Sequence, residues 1–267
     1  MARSALLNVM VTAASKAGRS LTRDFRSVSD LQVSLKGPGD FVSQADMRAE
    51  EIIHAELSKA RPGWSFLMEE RGLVEGDEDH RWIVDPLDGT LNFLHSIPLF
   101  AVSIGLEVRG QLQGGVIYNP ITEELFTAER GAGAFLNDRR LRVSARKRMS
   151  EAVVATGMPS IARRNNAHLL AVQAKLMGEV AGVRAIGSAA LALAWTAAGR
   201  FDASYDQGIS AWDVAAGLLI LREAGGFATA PGAKESIYES GRICAGNEPL
   251  QKRLRELVRE AKVPGKE

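Results

Sequence analysis

The chain has 267 residues, of which 46% are hydrophobic and 24% charged, and its 33 Lys+Arg against 32 Asp+Glu leave a formal charge of +1. These values describe an ordinary globular chain, long enough for one large domain or two intimately packed ones, and they exclude a strong field for nucleic acid or an anionic membrane. Cys244 is the only cysteine, which excludes an intrachain disulfide framework and a cysteine-rich zinc site and fits a reducing compartment.

Near the start, Arg3 followed by ALLNVMVTAASKA has some likeness to a signal peptide, but Asn8 and Thr12 interrupt the apolar run. Leu7, Met10, Ala14, Leu21 and Phe25 recur at helical spacing, which predicts an amphipathic helix over about 3–27 with Lys16, Arg19, Arg23 and Arg26 on its solvated side. No run of about 18 apolar residues occurs anywhere, so no transmembrane span is expected. Lys36 to Gly39 reads as a loop. Ser43 is a plausible N-cap for a second helix, striped by Ile52, Ile53, Leu57 and Ala60 and ended by Pro62. Asp46 falls in its first turn, where an acid also complements the helix dipole. Trp64 to Met68 reads as a short buried strand running into Glu69 and Glu70. EGDEDH, residues 75–80, reads as a charged surface loop.

The stretch RWIVDPLDGTLNF, Arg81 to Phe93, carries the chemistry. Trp82, Ile83 and Val84 predict a buried strand that delivers Asp85 and Asp88 to its carboxyl end. A regular pleat would point the two acids to opposite faces, but Pro86 cannot donate to a ladder, so the strand should stop at Asp85 and turn, letting the carboxylates converge. Two anions about 4 Å apart repel by roughly 4 kcal/mol at an effective dielectric of about 20, so either a shared proton or a cation must compensate. Oxygen ligands favour a hard ion, Mg²⁺ before Ca²⁺. Gly89 permits close backbone approach, and amides entering a helical turn bind an anion; metal plus anion suggests phosphate. The alternative on spacing alone is an Asp-rich turn with Asx-type hydrogen bonds.

Beyond a turn at His95–Pro98, alternation predicts strands over Phe100–Val108, Leu112–Tyr118, Glu124–Ala128 and Ala134–Val143, an antiparallel meander with turns at Asn119-Pro120 and Asn137-Asp138. The G-x-G of Gly131 and Gly133 is too short and wrongly placed for a dinucleotide fingerprint. The basic run from Arg139 to Arg148 lacks interleaved aromatics, which disfavours nucleic acid as a partner. Near residue 150 the pattern changes to alternating strands and helices. Two halves are therefore expected, 1–150 with the aspartate motif and the antiparallel sheet, and 151–267 completing the site, integrated as one unit. The second half predicts a strand at Val153–Thr156, a helix at Asn166–Met177, a strand at Val183–Ile186, then Gly187-Ser188-Ala189 before a helix at Ala190–Ala198. A strand at Phe201–Asp206 leads to a strongly amphipathic helix, Trp212–Ala224, with Asp213 in its first turn. Strands near Gly226 and Ile243 and a helix from Glu248 to about Ala261 complete the chain.

The central string resembles the W-I-[IV]-D-P-[IL]-D-G-T-x-N-F signature of the inositol monophosphatase family, Mg²⁺-dependent, lithium-sensitive phosphatases, with Leu91 where threonine is commonest. AWDVAAGLLILREAGG resembles a second signature of that family, and the similarity runs from about Gly39 to Gly246. The resemblance implies an α/β (α+β) fold, a layered α/β/α/β/α sandwich of the sugar-phosphatase type, usually a homodimer; with the single cysteine, a cytoplasmic location is expected. It implies two or three Mg²⁺ ions, one held by Glu69, Asp85 and the Leu87 carbonyl and a second by Asp85, Asp88 and Asp213. Glu70 would support the loop or a further ion through water, and Met68 stands where glycine is common. Asp46 would hydrogen-bond Thr90, and the pair, with Glu69, would orient or deprotonate the attacking water. Lys36 would belong to a mobile loop beside metal and phosphate.

On the substrate side, the resemblance implies that Asp88, Gly89 and Thr90 receive the phosphate. Gly187, Ser188 and Ala189 would border the sugar or cyclitol hydroxyls. Asp206 stands where glutamate commonly reaches a substrate hydroxyl, which puts the inositol preference in question. The implied activity is hydrolysis of a small phosphate monoester, inositol 1-phosphate first, with fructose-1,6-bisphosphatase, 3′-phosphoadenosine 5′-phosphate phosphatase or histidinol-phosphatase activity as alternatives and Li⁺ as inhibitor. A different class also follows from it, since some bacterial relatives bind RNA polymerase or antitermination factors.

Overall fold

The structure is a computed structural model that describes residues 3–28, 33–37, 40–160, 166–232 and 234–263, with only the backbone course given for 33–37 and 40–42. Helix α1 (Ala5–Phe25) is capped by Ser4, whose hydroxyl accepts the Leu7 N–H. It leads to a hairpin of β1 (Val33–Gly37) and β2 (Asp40–Ser43), so Lys36 and Gly37 lie on a strand where a loop was expected. Pro38 and Gly39 lie outside the described residues. Helix α2 (Gln44–Ala60) follows, then β3 (Trp64–Met68), β4 (Gly72–Val74), β5 (Asp77–Asp88) and the single turn α3 (Thr90–Leu94). The meander continues through β6 (Ala101–Val108), β7 (Gln111–Asn119), β8 (Glu124–Glu129), β9 (Gly133–Leu136) and β10 (Arg139–Arg140). The second half contains β11 (Val153–Thr156), α4 (Asn166–Met177), β12 (Gly182–Arg184), α5 (Ala189–Ala197), β13 (Ala203–Gln207) and α6 (Ala211–Glu223). It ends with β14 (Phe227–Thr229), α7 (Ile237–Ser240), β15 (Arg242–Gly246) and α8 (Glu248–Glu260).

Among the described residues, β3 to β10 form one sheet in the order β10-β9-β8-β7-β6-β5-β3-β4, and β11 to β15 form another in the order β12-β11-β13-β15-β14. Helices α1 and α2 cover the outer face of the first sheet, α5 and α6 lie between the sheets, and α4 and α8 cover the second. This is the α/β/α/β/α layering expected. The apolar clusters follow the layers. Met10, Leu21, Ile53, Trp82, Val84 and Val102 pack under α1 and α2, while Ile83, Ile117 and Phe126 face α5 and α6. Val154, Tyr205 and Cys244 face α4 and α8. Among the described residues, no helix is long and apolar enough to cross a membrane.

Three further expectations are corrected. Asp77 to His80 lie at the surface as expected but are not a loop: the charged segment is the start of β5, with Asp77 paired to Trp64 on one side and His80 to Val108 on the other, and the His80 ring stacked on Trp64 at 4.2 Å. Pairing at its two ends, Asp77 with β3 and His80 with β6, overrides the polar composition. Helix α6 is not amphipathic in its setting, because Val214 to Leu221 are all buried between two sheets, and a helix covered on all sides needs no polar face. The third correction concerns Pro86, which does not end β5. The register runs from Asp85 opposite Ser103 to Asp88 opposite Ala101, so three steps on β5 match two on β6. Pro86 thus sits in a one-residue bulge, the position where a sheet tolerates a missing donor.

Candidate active site

The bulge decides the site. Alternation sends Trp82 and Val84 toward α1 and α2 and Ile83 toward α6, so Asp85 follows Ile83. Without the extra residue Asp88 would face the opposite way. With it, Leu87 joins the α1/α2 cluster and Asp88 returns to the α5/α6 side. The Leu87 N–H closes the turn on Asp85 Oδ1 at 2.9 Å.

The third acid comes from α6. Ser210 donates its N–H to Asp213 Oδ2 at 2.6 Å, fixing the side chain in the first helical turn. The helix can approach the sheet this closely because β7 presents Gly115 beneath it: a Cβ there would lie 2.8 Å from the Ala216 carbonyl oxygen. Asp85, Asp88 and Asp213 consequently place carboxylate oxygens within 4.8 Å of one another. Glu69, in the turn after β3, donates its N–H to the Val84 carbonyl at 3.2 Å, and its carboxyl group hydrogen-bonds Asp85.

Burial, with the neighbouring charges behind it, raises the pKa values of the three aspartates. Asp85 lies well above the usual carboxylate range through burial and then through the charges of Glu69, Asp88 and Asp213. Asp213 is likewise well above it, through burial and the Asp88 charge. Asp88 is lifted to about 6 by burial, although hydrogen bonds from Ser188 Oγ and the Ala190 and Ala189 N–H groups oppose the rise. Four acids with only oxygen donors, semi-enclosed and mutually repelling, suit a hard divalent cation by the chemistry of the donor set.

Beside them lies the Asp-Gly-Thr turn. Gly89 has φ 96°, and its vacant Cβ position lies 2.9 Å from the Leu99 carbonyl oxygen, so both the turn and the packing require glycine. The Thr90 hydroxyl lies 3.1 Å from both Asp46 Oδ1 and the Leu87 carbonyl oxygen and has one proton to give to either. Asp46 is buried under the start of α2 and also accepts from the Ser43 N–H at 2.9 Å and the Ser43 hydroxyl at 2.5 Å. Burial pushes its pKa up, against these hydrogen bonds.

The family model described as "Inositol monophosphatase family" matches residues 2–263. The chain belongs to the inositol monophosphatase family. It is 61% identical to an inositol-1-monophosphatase from Mesorhizobium japonicum over 97% of this chain and 98% of that protein. It is 42% identical to the protein called Nus factor SuhB from Pseudomonas aeruginosa, over 93% and 94%. The crystal structure of extragenic suppressor protein suhB from Bartonella henselae superposes with a TM-score of 0.94 at 55% identity, covering 97% of this chain and 100% of that one.

Most of the residues that the family resemblance singled out converge in one place. Asp85, Asp88, Asp213 and Glu69 form the acidic cluster, with Thr90 and Asp46 at its edge. Gly187, with φ 72°, introduces Ser188 and Ala189, which meet the cluster by donating to Asp88. Asp206 on β13 is near enough for its charge to raise both Asp88 and Asp213. Glu70 turns its N–H toward helix α2. The Lys36 side chain lies outside the described residues.

Two further contributors are not among the residues that the resemblance marks. Asn92 Nδ2 donates to the Leu99 and Ile186 carbonyl oxygens, each at 2.7 Å, and so ties the Asp-Gly-Thr turn to the Gly187 turn of the second half. Only its place inside the signature string pointed to it. Glu50 is 1% exposed and accepts the Glu70 N–H. The available signal was its spacing, four residues after Asp46 and hence on the same helix face.

Proposed function

We propose that the protein is a Mg²⁺-dependent phosphate monoesterase whose first substrate is an inositol monophosphate. The observation that carries the reading is the convergence of Asp85, Asp88 and Asp213 within 4.8 Å, with Asp85 hydrogen-bonded to Glu69 and with Gly89 and Thr90 following Asp88 directly. Phosphate-monoester hydrolysis is among the slowest reactions in water, so a site of this type must stabilise several negative oxygens. Glu69, Asp85, the Leu87 carbonyl, Asp88 and Asp213 would hold the cations, two or three in number. When bound, Mg²⁺ supplies charge neutralisation and lowers the pKa of water.

The chain's own groups do the rest. Gly89 and Thr90 receive the phosphate. Thr90, its proton directed by the buried Asp46 acceptor, and Glu69 orient the attacking water, and Glu69 takes its proton. Ser188 and Ala189 hold Asp88 in place while the Gly187 turn and Asp206 border the substrate hydroxyls. Asp206 is one methylene shorter than glutamate, so Asp206→Glu is expected to shift selectivity among polyol phosphates. Li⁺ is the expected inhibitor. Cytoplasmic location, a homodimeric assembly and joint action of residues 1–150 and 151–267 as one unit belong to the same reading.

Phosphate release by the purified protein, measured across inositol phosphates, fructose 1,6-bisphosphate, 3′-phosphoadenosine 5′-phosphate and histidinol phosphate with and without Mg²⁺ and Li⁺, tests it. Mg²⁺-dependent, Li⁺-inhibited release from inositol phosphates is expected. Release that ignores Mg²⁺, or none from any ester, overturns it. The similarity to a protein called Nus factor SuhB favours a second reading, association with RNA polymerase or an antitermination factor. Co-purification by an Asp88→Asn variant, with wild-type yield of partner, would separate binding from hydrolysis.

A further inference from the structure

We infer that Glu50 is a positioning residue for Glu69, so that helix α2 sets both groups facing the attacking water through two acids one turn apart; the inference rests on the role proposed for Glu69. Asp46 and Glu50 stand four residues apart and share one helix face. They are 0% and 1% exposed. Acids so deeply placed are tolerated only where hydrogen bonds or opposite charges receive them.

Their partners lie on the two sides of the site. Asp46 Oδ1 lies 3.1 Å from the Thr90 hydroxyl, within reach of its proton. Glu50 Oε2 accepts the Glu70 N–H at 2.9 Å, and its Oε1 lies 3.3 Å from Arg71 Nε. Arg71 also pairs with Glu51, the next helical residue. One helical side chain therefore grips the two residues that directly follow Glu69.

On its other side Glu69 is held by β5. Met68 pairs with Val84, and the Glu69 N–H donates to the Val84 carbonyl. The turn is thus clamped at both ends, by the strand that carries Asp85 and by the helix that carries Asp46. Gly72, at φ 72°, follows immediately and offers no stiffness of its own. The Arg71 charge offsets the additional anion that Glu50 brings near an already acidic cluster, which explains why an ion pair, and not a lone acceptor, occupies this position.

The test uses full-length wild type, Glu50→Ala, Glu50→Gln, Arg71→Met and Glu69→Gln. Amide hydrogen exchange is measured on metal-free protein over residues 68–72, with 52–58 as control. Mg²⁺ half-saturation is measured by calorimetry, and kcat and KM with an inositol phosphate. Glu50→Ala is expected to speed exchange at 68–72 by about tenfold or more without changing 52–58, to raise the Mg²⁺ half-saturation and lower kcat by about 10–100-fold, and to leave KM within about threefold. Glu50→Gln keeps an acceptor for the Glu70 N–H and is expected to retain slow exchange, with Mg²⁺ half-saturation between wild type and Glu50→Ala.

A Glu50→Ala protein that merely melts earlier, with exchange at 68–72 and Mg²⁺ half-saturation as in wild type, overturns the inference. If Glu50→Ala does not fold, wild-type values for both quantities in Glu50→Gln and Arg71→Met overturn it instead. Wild-type Mg²⁺ half-saturation in Glu69→Gln would overturn the ligand role of Glu69. An impaired Glu69→Gln beside an unaltered Glu50→Ala would overturn only the positioning role.

Discussion

Asp88→Asn removes a charge from the most crowded part of the site while keeping the side chain's shape. In the metal-free protein burial lifts the Asp88 carboxyl to about 6 from an ordinary 3.8. A gap of about two units corresponds to on the order of 3 kcal/mol. The folded form binds this proton more tightly than the unfolded chain does. The contribution to stability is therefore fully present below about 3.8 and is lost as the pH rises through about 6. At pH 7.5 the metal-free wild type carries the whole penalty and the asparagine variant carries none. Against that gain, asparagine has a single acceptor oxygen. Turned to receive Ser188 Oγ and the Ala190 N–H, it presents its amide to the Ala189 N–H, a loss of about 1 kcal/mol. The metal-free variant should thus be about 2 kcal/mol more stable at pH 7.5, melting about 4 °C higher, with the advantage gone by about pH 4.5. Saturating Mg²⁺ should reverse the order, because only the wild type keeps the full ligand set, and turnover of the variant should fall by about 10³-fold or more. Urea unfolding and thermal melts in chelator at three pH values, repeated with Mg²⁺, provide the assay. A pH-independent difference, or a metal-free variant no more stable than wild type at pH 7.5, would refute the argument from the burial of Asp88.

Gly89→Ala forces alanine into a left-handed turn at φ 96° with its Cβ 2.9 Å from the Leu99 carbonyl oxygen, and should cost about 2–4 kcal/mol in urea unfolding; wild-type stability would contradict the packing described. Gly115→Ala places a Cβ 2.8 Å from the Ala216 carbonyl oxygen of a helix that has no room to retreat. It should lose about 1–3 kcal/mol and, by displacing Asp213, raise the Mg²⁺ half-saturation; a stability loss with unchanged Mg²⁺ response would show that the helix does not set Asp213. Asn92→Ala deletes both bonds joining the Asp-Gly-Thr and Gly187 turns and should cost about 1–3 kcal/mol, with kcat/KM falling more than stability alone explains. Melting and turnover equal to wild type would show the bridge to be idle.

Much of the site was legible locally because the chemistry is written in consecutive residues. Trp82 to Val84 read as a buried strand, Ser43 as a cap and Asp213 as a first-turn acid, and each depends on neighbours within a few positions. Pro86 marked an interruption but not its kind. A turn and a bulge both tolerate a missing donor, and the choice depends on where β6 pairs, which is a property of residues Ala101 and Ser103. The surroundings of α6 were misread for a similar reason. Its sequence admits a solvent-facing side, and only the second sheet closing over it removes that side.

By itself the sequence determined the acids, the cap, the glycine turn and the family, since motif identity and short-range periodicity are local properties. The tertiary structure alone decided that a bulge and not a turn brings Asp85 and Asp88 to one side, that Gly115 lets Asp213 descend onto them, and that Glu50 and Asn92 belong to the site at all. These depend on strand register and interlayer distance, which set contacts between residues tens of positions apart and so are not specified by the stretch of chain where either partner lies.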